Sequence, residues 1–173
     1  MSIEKARAHL AKYHLEDKIL EFDVSSATVE LAAQAVGVEG ARIAKTLSFR
    51  LDDGCILIVA AGDARIDNHK YKDYFHKKAS MPSPEEVLEK VGHPVGGVCP
   101  FGVNPGVRVY LDESLKRFET IFPAAGSANS AIELTIDELY QCSEAIGWVD
   151  VCKIPEYHKR ITRRVLLLLY SII

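Results

Sequence analysis

The sequence predicts an α/β (α+β) fold: a single compact domain with helices around a mixed, mostly antiparallel sheet. Helical and strand-like patterns alternate along residues 1–152, and the length of 173 residues suits one domain. The links 51–55 and 123–131 between predicted strands are too short for crossover helices, so antiparallel pairs must exist. Since no clear linker precedes residue 153, we expect one domain over 1–152 and a C-terminal tail of unknown role over 153–173.

Five segments are predicted to be helices, and their ends carry capping signals. Apolar residues recur every three or four positions in the first segment, and Thr28 and Gly37 can begin and end the second. Ser83 with Glu86, and Thr135 with Glu138, have the spacing of capping boxes. The predicted helices cover residues 3–14, 29–36, 67–78, 83–92 and 135–145.

Strand signals begin with a hairpin. Residues 43–51 alternate with a period of two, a DDG turn follows, and residues 55–62 are almost wholly apolar, as is typical of a central strand. Further strands are predicted at 107–111, 119–123, 131–134 and 148–151.

Composition excludes several classes of protein. The net charge of −3 argues against a polybasic nucleic-acid protein, so a polyanionic partner would have to meet a local patch. The four cysteines show neither CxxC pairs nor metal-ligand spacing, which favours a reducing cytoplasm over a disulfide framework. The N-terminal segment lacks a signal-peptide core, and the nine-residue apolar run at the end is too short to span a bilayer.

Lys45 breaks the pattern of its strand. It shares the apolar face with Ile43, Leu47 and Phe49, where an ammonium group is costly unless it is paired or reaches a cavity. One interpretation is a lysine near the strand start that extends to solvent. The other is a lysine that projects into a pocket to meet a phosphate or a carboxylate.

The segment 92–106 contains five glycines and three prolines, so neither a helix nor a strand can continue through it. It is either a long structural connection or a stiff loop whose backbone N–H groups bind an oxyanion or orient a carbonyl. Cys99 and His93 in this loop could form a nucleophile pair, although their spacing supports no known arrangement.

Two further features leave alternatives open. The small-residue loop 124–131 is either a hairpin turn or the far wall of a pocket, with Ser127 and Asn129 as polar groups. Basic residues cluster in 65–78 and 153–164, and such runs are either solvated faces or contacts to a nucleic-acid backbone.

Three segments together resemble the YbaK/ProX family of aminoacyl-tRNA deacylases, which includes the editing domain inserted in bacterial prolyl-tRNA synthetases. They are AAQAVGVEGARIAKTLSF, VGGVCPFG and IFPAAGSANSAIELTIDELYQ, and the resemblance covers roughly residues 2–152. It implies a strongly curved sheet and a cytoplasmic hydrolase that removes alanine, cysteine, serine or threonine from proline tRNA or a related tRNA. It also implies that the protein uses neither a metal nor an organic cofactor. The expected partners are tRNA and prolyl-tRNA synthetase, and the expected oligomeric state is a monomer or a homodimer.

The resemblance also assigns site residues. Lys45, in the AKT triplet, would contact phosphate or ribose at the tRNA 3′ end, and the G-x-x-x-P loop would hold the substrate. Backbone N–H groups near Gly96, Gly97 and Val98 would polarise the ester or align water. The predicted substrate-binding residues are Phe22, Thr46, Cys99, Pro100, Phe101, Gly102, Gly126, Ser127 and Asn129. The predicted tRNA-binding residues are Arg42, Arg65, Lys70 and Lys72.

Two alternatives to this function follow from the residues. No side chain stands out as a general base, so the same fold could be a non-catalytic module that binds tRNA or an aminoacyl group. A cysteine hydrolase that uses Cys99 is a more distant alternative. Some relatives that act on cysteine carry an acidic residue after the small-residue loop, and Ala131 occupies that place here, which argues against cysteine as the substrate.

Overall fold

The computed structural model describes residues 2–156, so the tail beyond Glu156 lies outside the described residues. The helices are α1 (Ser2–Ala11), α2 (Val29–Val36), α3 (Asn68–Phe75), α4 (Pro84–Val91) and α5 (Ile136–Cys142). The strands are β1 (Ile19–Glu21), β2 (Ile43–Leu51), β3 (Gly54–Ala61), β4 (Arg65–Ile66), β5 (Arg108–Asp112), β6 (Thr120–Pro123), β7 (Ser130–Ile132), β8 (Leu134–Thr135), β9 (Gly147–Val149) and β10 (Cys152–Lys153).

The capping signals place the starts of α2, α4 and α5 correctly, whereas α3 and α5 each end three residues before the predicted ends at 78 and 145. The Thr28 hydroxyl accepts a hydrogen bond from the Leu31 N–H at 3.2 Å, and both predicted capping boxes are present. The first helix ends earlier than predicted, at Ala11, because the chain turns back at His14, whose φ is 58°. Apolar spacing alone could not reveal that turn.

The main sheet has six strands in the order β8-β6-β2-β3-β5-β9 and curls into a half-barrel. β2 and β3 form the predicted antiparallel hairpin, and β6 pairs antiparallel with β8. The other three neighbouring pairs, β2 with β6, β3 with β5 and β5 with β9, are parallel. The predicted mixed sheet is therefore confirmed. The sequence predicts mostly antiparallel pairs, but three of the five strand pairs in the main sheet are parallel and join strands that lie far apart in the sequence.

Two antiparallel ribbons, β1 with β7 and β4 with β10, complete the described strands. The strand predicted over 131–134 is in fact two strands, since β7 pairs with β1 whereas β8 pairs with β6. The two strands are separated at Glu133, where the chain changes partners.

The unequal pairing of β2 positions the site. On one side β2 pairs with β3 from Ala44 to Leu51, and every residue of β3 from Cys55 onward is buried. On its other side β2 pairs with β6 only at Ile43 and Ala44. The sheet therefore opens beside the middle of β2. No helix within residues 2–156 is long and apolar enough to cross a membrane.

Candidate functional site

A cleft of about 280 Å³ occupies the gap where β2 and β6 diverge. Its walls come from α2 and the segment before it, from β2, from α4 and the segment before it, from the Gly/Pro loop, and from β6 and β7. The lining residues are Ser26, Ala27, Thr28, Val29, Ala32, Ile43, Ala44, Lys45, Thr46, Leu47, Ser48, Met81, Pro82, Val87, Val95, Gly96, Val98, Phe122, Ala124, Ser130 and Ala131. The cleft therefore brings together Lys45, the G-x-x-x-P loop and the strand after the small-residue loop.

The backbone of β2 presents hydrogen-bonding groups to this cleft. Main-chain groups of successive strand residues point to alternate edges. The N–H of Arg50 donates to Ser80 O at 2.8 Å, so Arg50 faces away from β3. Thr46 and Ser48 share this orientation by alternation, and they lie beyond the short pairing with β6. Their N–H and C=O groups are thus available to a ligand in the cleft.

Lys45 lines the cleft as a half-buried side chain. Its ammonium group donates to the carbonyl oxygens of Gly62, at 3.2 Å, and of Ala64. Burial lowers the pKa of Lys45, and the nearby positive charge of Arg65 lowers it further, while neighbouring acidic groups oppose the change. An ammonium group has three N–H donors, so one remains for a ligand after the two carbonyl bonds.

The Gly/Pro loop is shaped by a tight turn and a close contact. The N–H of Gly97 donates to Pro94 O at 3.0 Å, and Gly96 has a φ of 93°, as the third residue of a type II turn requires. A Cβ on Gly97 would lie 3.0 Å from the Cα of Ser127. The Gly97 N–H is therefore engaged within the loop. The N–H groups of Gly96 and Val98, the other two predicted donors, form no hydrogen bond to the described residues.

The remainder of the predicted loop site lies away from the cleft lining. Cys99 and Phe101 are fully buried in the main core. A Cβ on Gly102 would lie 2.5 Å from Lys5 O, so this glycine allows the loop to pack against α1. Pro100 and Gly102 line a separate recess of about 430 Å³ beside α1.

The contacts of Cys99 and His93 do not form an activated nucleophile. His93 must donate its Nε2–H to the carbonyl oxygen of Phe101, at 2.7 Å, because a carbonyl only accepts. Its Nδ1 then accepts from the Ser2 hydroxyl. Burial lowers the pKa of His93 and raises the pKa of the Cys99 thiol to about 12. The thiol, 3.6 Å from His93 Nε2, thus meets an N–H group and not a base.

The predicted residues of the small-residue loop, Gly126, Ser127 and Asn129, do not line the cleft. They instead make contacts that support the segments around it. The Ser127 hydroxyl donates to Asn129 Oδ1 at 2.9 Å, and Asn129 Nδ2 donates to Phe22 O at 2.9 Å. The N–H of Phe22 in turn donates to Asn129 O at 2.8 Å. A Cβ on Gly126 would lie 2.6 Å from Ser2 O. These contacts hold the loop against the segment before α2 and against α1.

The structure also brings in a residue that the sequence did not indicate. Ser26 is 9% exposed, lines the cleft, and its N–H donates to Ala128 O at 2.6 Å. Its hydroxyl and that of Thr46 are buried without a hydrogen-bond partner among the described residues. The burial of Ser26 depends on a loop far along the chain, so no local sequence signal could have identified it.

The basic residues predicted to bind tRNA are Arg42, Arg65, Lys70 and Lys72. Two of them are engaged within the protein: Arg42 donates to Thr120 O at 3.3 Å, and Lys70 lies 2.7 Å from Asp150 Oδ1. Arg65 and Lys72 are exposed. Lys72 borders a second recess, of about 370 Å³, with His69 and Lys78.

The chemistry that the cleft can support follows from its charges. Lys45 is the only ionisable side chain among the lining residues within the described chain. The same residues 2–156 contain no group of three His, Cys, Asp or Glu side chains placed to hold a metal ion. The lining therefore offers one cation, hydroxyl groups and main-chain groups, which can hold and orient a substrate and a water molecule.

Comparisons with known proteins identify related chains. Residues 23–142 match the family model described as an aminoacyl-tRNA editing domain. Over 154 residues the chain is 57% identical to the uncharacterized protein YwhH of Bacillus subtilis, covering 88% of this chain and 98% of that protein. It is 30% identical to the proline–tRNA ligase of Thermosipho melanesiensis over 72% of this chain but only 22% of the ligase.

A solved structure has the same architecture. A crystal structure described as that of a candidate trans-editing enzyme for prolyl tRNA synthetase superposes with a TM-score of 0.79 and 31% identity. The match covers 88% of this chain and 97% of that one. The likeness extends over nearly the whole of the solved chain, whereas the ligase contains a matching region within a much longer protein.

Proposed function

This chain belongs to the family of aminoacyl-tRNA editing domains, and we propose on that basis that it is a free-standing hydrolase that deacylates mischarged tRNA. The ester would carry a small amino acid, such as alanine, cysteine, serine or threonine, on proline tRNA or a related tRNA. The match to nearly the full length of a candidate trans-editing enzyme supports action as a separate protein.

The observation that carries this proposal is the cleft itself. Lys45 and the Gly96–Val98 loop line one space of about 280 Å³, between an open strand edge and a loop with free N–H groups. The third N–H of Lys45 would hold a phosphate or ribose oxygen of the tRNA 3′ end. The amides of Gly96 and Val98 would polarise the ester carbonyl or align the attacking water.

The cleft implies a mechanism based on positioning. Since no carboxylate or imidazole lines it in the described chain, the substrate's own ribose hydroxyl or α-amine would relay the proton of the attacking water to the ribose oxygen that leaves. Water adds to the carbonyl carbon, the bond to the ribose oxygen breaks, and free amino acid and tRNA are released. Orientation of two reactants can lower a barrier by several kcal/mol, roughly 7–11 in the best cases.

Substitution of Lys45 tests the proposal. We expect Lys45→Ala to lower kcat/KM for a mischarged small aminoacyl-tRNA by roughly tenfold to a hundredfold, since a hydrogen bond to a charged group contributes about 1.5–3 kcal/mol. Release of radiolabelled amino acid measures the rate, and circular dichroism monitors the fold. Lys12→Ala, at an exposed position just after α1, is the matched control. Full activity of Lys45→Ala beside an active wild type would refute the role of Lys45.

The absence of a carboxylate or an imidazole from the described cleft lining also favours a second candidate, a non-catalytic module that binds tRNA or an aminoacyl group. This candidate predicts tRNA binding without release of amino acid from alanyl-, cysteinyl-, seryl- or threonyl-tRNA. Hydrolysis of any of the four, at a rate proportional to protein concentration, would exclude it.

A further inference from the structure

Two buried hydroxyl groups without partners lie in the lining of one cleft. Among residues 2–156, four buried side-chain oxygens have no hydrogen-bond partner, and they belong to Glu16, Ser26, Thr46 and Tyr71. Ser26 and Thr46 come from separate segments, the chain before α2 and strand β2, and both line the cleft. Leaving a buried polar group without a partner costs about 1–3 kcal/mol, so a concentration of two at one place needs an explanation.

The other hydroxyl groups of the cleft show the contrast. The Thr28 hydroxyl caps α2, and the Ser130 hydroxyl lies 2.7 Å from that of Ser127. These two side chains have structural roles. Ser26 and Thr46 have none, and the cleft lining to which they belong also includes the apolar residues Ile43 and Val29. Because the cleft is open, a ligand or a water molecule in it can supply the donor or acceptor that the described residues do not.

We propose that the cleft selects a β-hydroxyl amino acid, serine or threonine, whose side-chain hydroxyl exchanges hydrogen bonds with Ser26 and Thr46. This inference rests on the proposed function and narrows its substrate class. A cleft of about 280 Å³ is slightly smaller than most ligand sites, which hold roughly 300–1,000 Å³, and this size fits a small side chain next to part of a ribose. Alanine would leave both hydroxyls unpaired, and a site built to bond a hydroxyl rejects the analogue that lacks it.

The geometry sets a condition for this contact. Each oxygen exposes less than 1 Å² of surface, so a ligand reaches them through a rotation about χ1 or a small separation of the 26–29 segment from β2. The rotation about χ1 is the smaller change, because the main chain of Ser26 is held by the hydrogen bond from its N–H to Ala128 O.

The test compares seryl- with alanyl-tRNA, which differ by one hydroxyl group on the same tRNA. We expect kcat/KM for the seryl ester to exceed that for the alanyl ester by at least about tenfold, the equivalent of one good hydrogen bond. Equal rates, or a preference for alanine, would overturn the inference while leaving the proposed function intact. If the protein hydrolyses neither ester, the result counts against both the proposed function and this inference. Calorimetric binding of non-hydrolysable seryl- and alanyl-amide analogues of the 3′-terminal adenosine then measures the side-chain preference without any need for hydrolysis.

Isosteric substitution assigns the preference to the two hydroxyls. We expect Thr46→Val and Ser26→Ala each to reduce the serine-to-alanine ratio by roughly tenfold. Thr46→Val should melt no lower than wild type, since it removes an unpaired buried hydroxyl. Tyr71→Phe is the matched control, because it removes an unpaired hydroxyl that lies outside the cleft lining and should leave the ratio unchanged. An unchanged ratio in both cleft variants would refute the assignment.

Discussion

The substitution Gly97→Ala tests whether the packing of the Gly/Pro loop fixes the site. The new Cβ would lie 3.0, 3.1 and 3.2 Å from the Cα, C and N atoms of Ser127, all of them backbone atoms. Contacts this short require the loop or the Ser127 turn to move by a few tenths of an ångström. Overpacking of this kind costs about 1–3 kcal/mol, which corresponds to a fall in Tm of about 2–12 °C for a domain of this size.

The loss of activity should be larger than the loss of stability suggests. Gly97 lies between Gly96 and Val98, whose amides are the proposed donors to the ester, and a displacement of about 1 Å can cost roughly a hundredfold in rate. We therefore expect kcat/KM for seryl-tRNA to fall about tenfold to a hundredfold at a temperature where the variant is fully folded. Thermal melting by circular dichroism and single-turnover deacylation measure the two effects.

Gly106→Ala is the control for this prediction. Gly106 has a φ of 87°, and no atom lies within 4 Å of the place that an alanine methyl group would take. Alanine there brings backbone strain of about 1–2 kcal/mol without a collision. We expect a comparable fall in Tm and wild-type kcat/KM. If Gly97→Ala also retained wild-type kcat/KM, the position of this loop would not control the reaction, and the reasoning from loop packing would fail.

Three further predictions concern single side chains. Cys99, buried and with its pKa raised to about 12, should resist iodoacetamide at pH 8, and treated protein should keep its activity; labelling of Cys99 with loss of activity would revive the cysteine mechanism. Hydrogen bonds from Arg50 and from Ser83 lower the pKa of Glu86 from 4.5 to about 2. The variant Glu86→Gln should therefore be less stable than the wild type by its full amount above about pH 5, and the difference should vanish as the pH falls towards 2. A difference in Tm that does not depend on pH would contradict this. If the exposed Lys72 contacts a tRNA phosphate, Lys72→Ala should reduce the slope of log K for tRNA binding against log salt concentration by about 0.7–0.9. An unchanged slope would show that Lys72 is not in the interface.

Local sequence signals predict the parts of this fold that depend on neighbouring residues. Thr28, Ser83 and Thr135 begin their helices as expected, because a cap needs only the next three residues. The hairpin of β2 and β3 is predicted for the same reason, since its turn and its alternation are local. The strand β1 is not predicted, because it has three residues and is defined by its pairing with β7.

The site is predictable only in part, for a related reason. Lys45 departs from a local pattern, so the sequence alone indicates it as a candidate. Ser26 is held beside the cleft by the hydrogen bond from its N–H to Ala128 O, a residue about a hundred positions away, so no local sequence pattern indicates it. The role of Gly97 likewise depends on Ser127, whereas the density of glycine in the loop is visible in the sequence.

The glycines around the cleft explain why a loop with so few side chains can fix a site. Gly97 packs against the backbone at Ser127, while Gly102 and Gly126 pack against the backbone of α1. The Gly/Pro loop, the small-residue turn and α1 therefore meet backbone to backbone, where any side chain would force them apart. Because the loop is held from both sides, the amides of Gly96 and Val98 are positioned by contacts outside the cleft. Side chains at positions 97 and 102 are thus excluded by packing. In the proposed mechanism, the loop acts on the ester through its main chain.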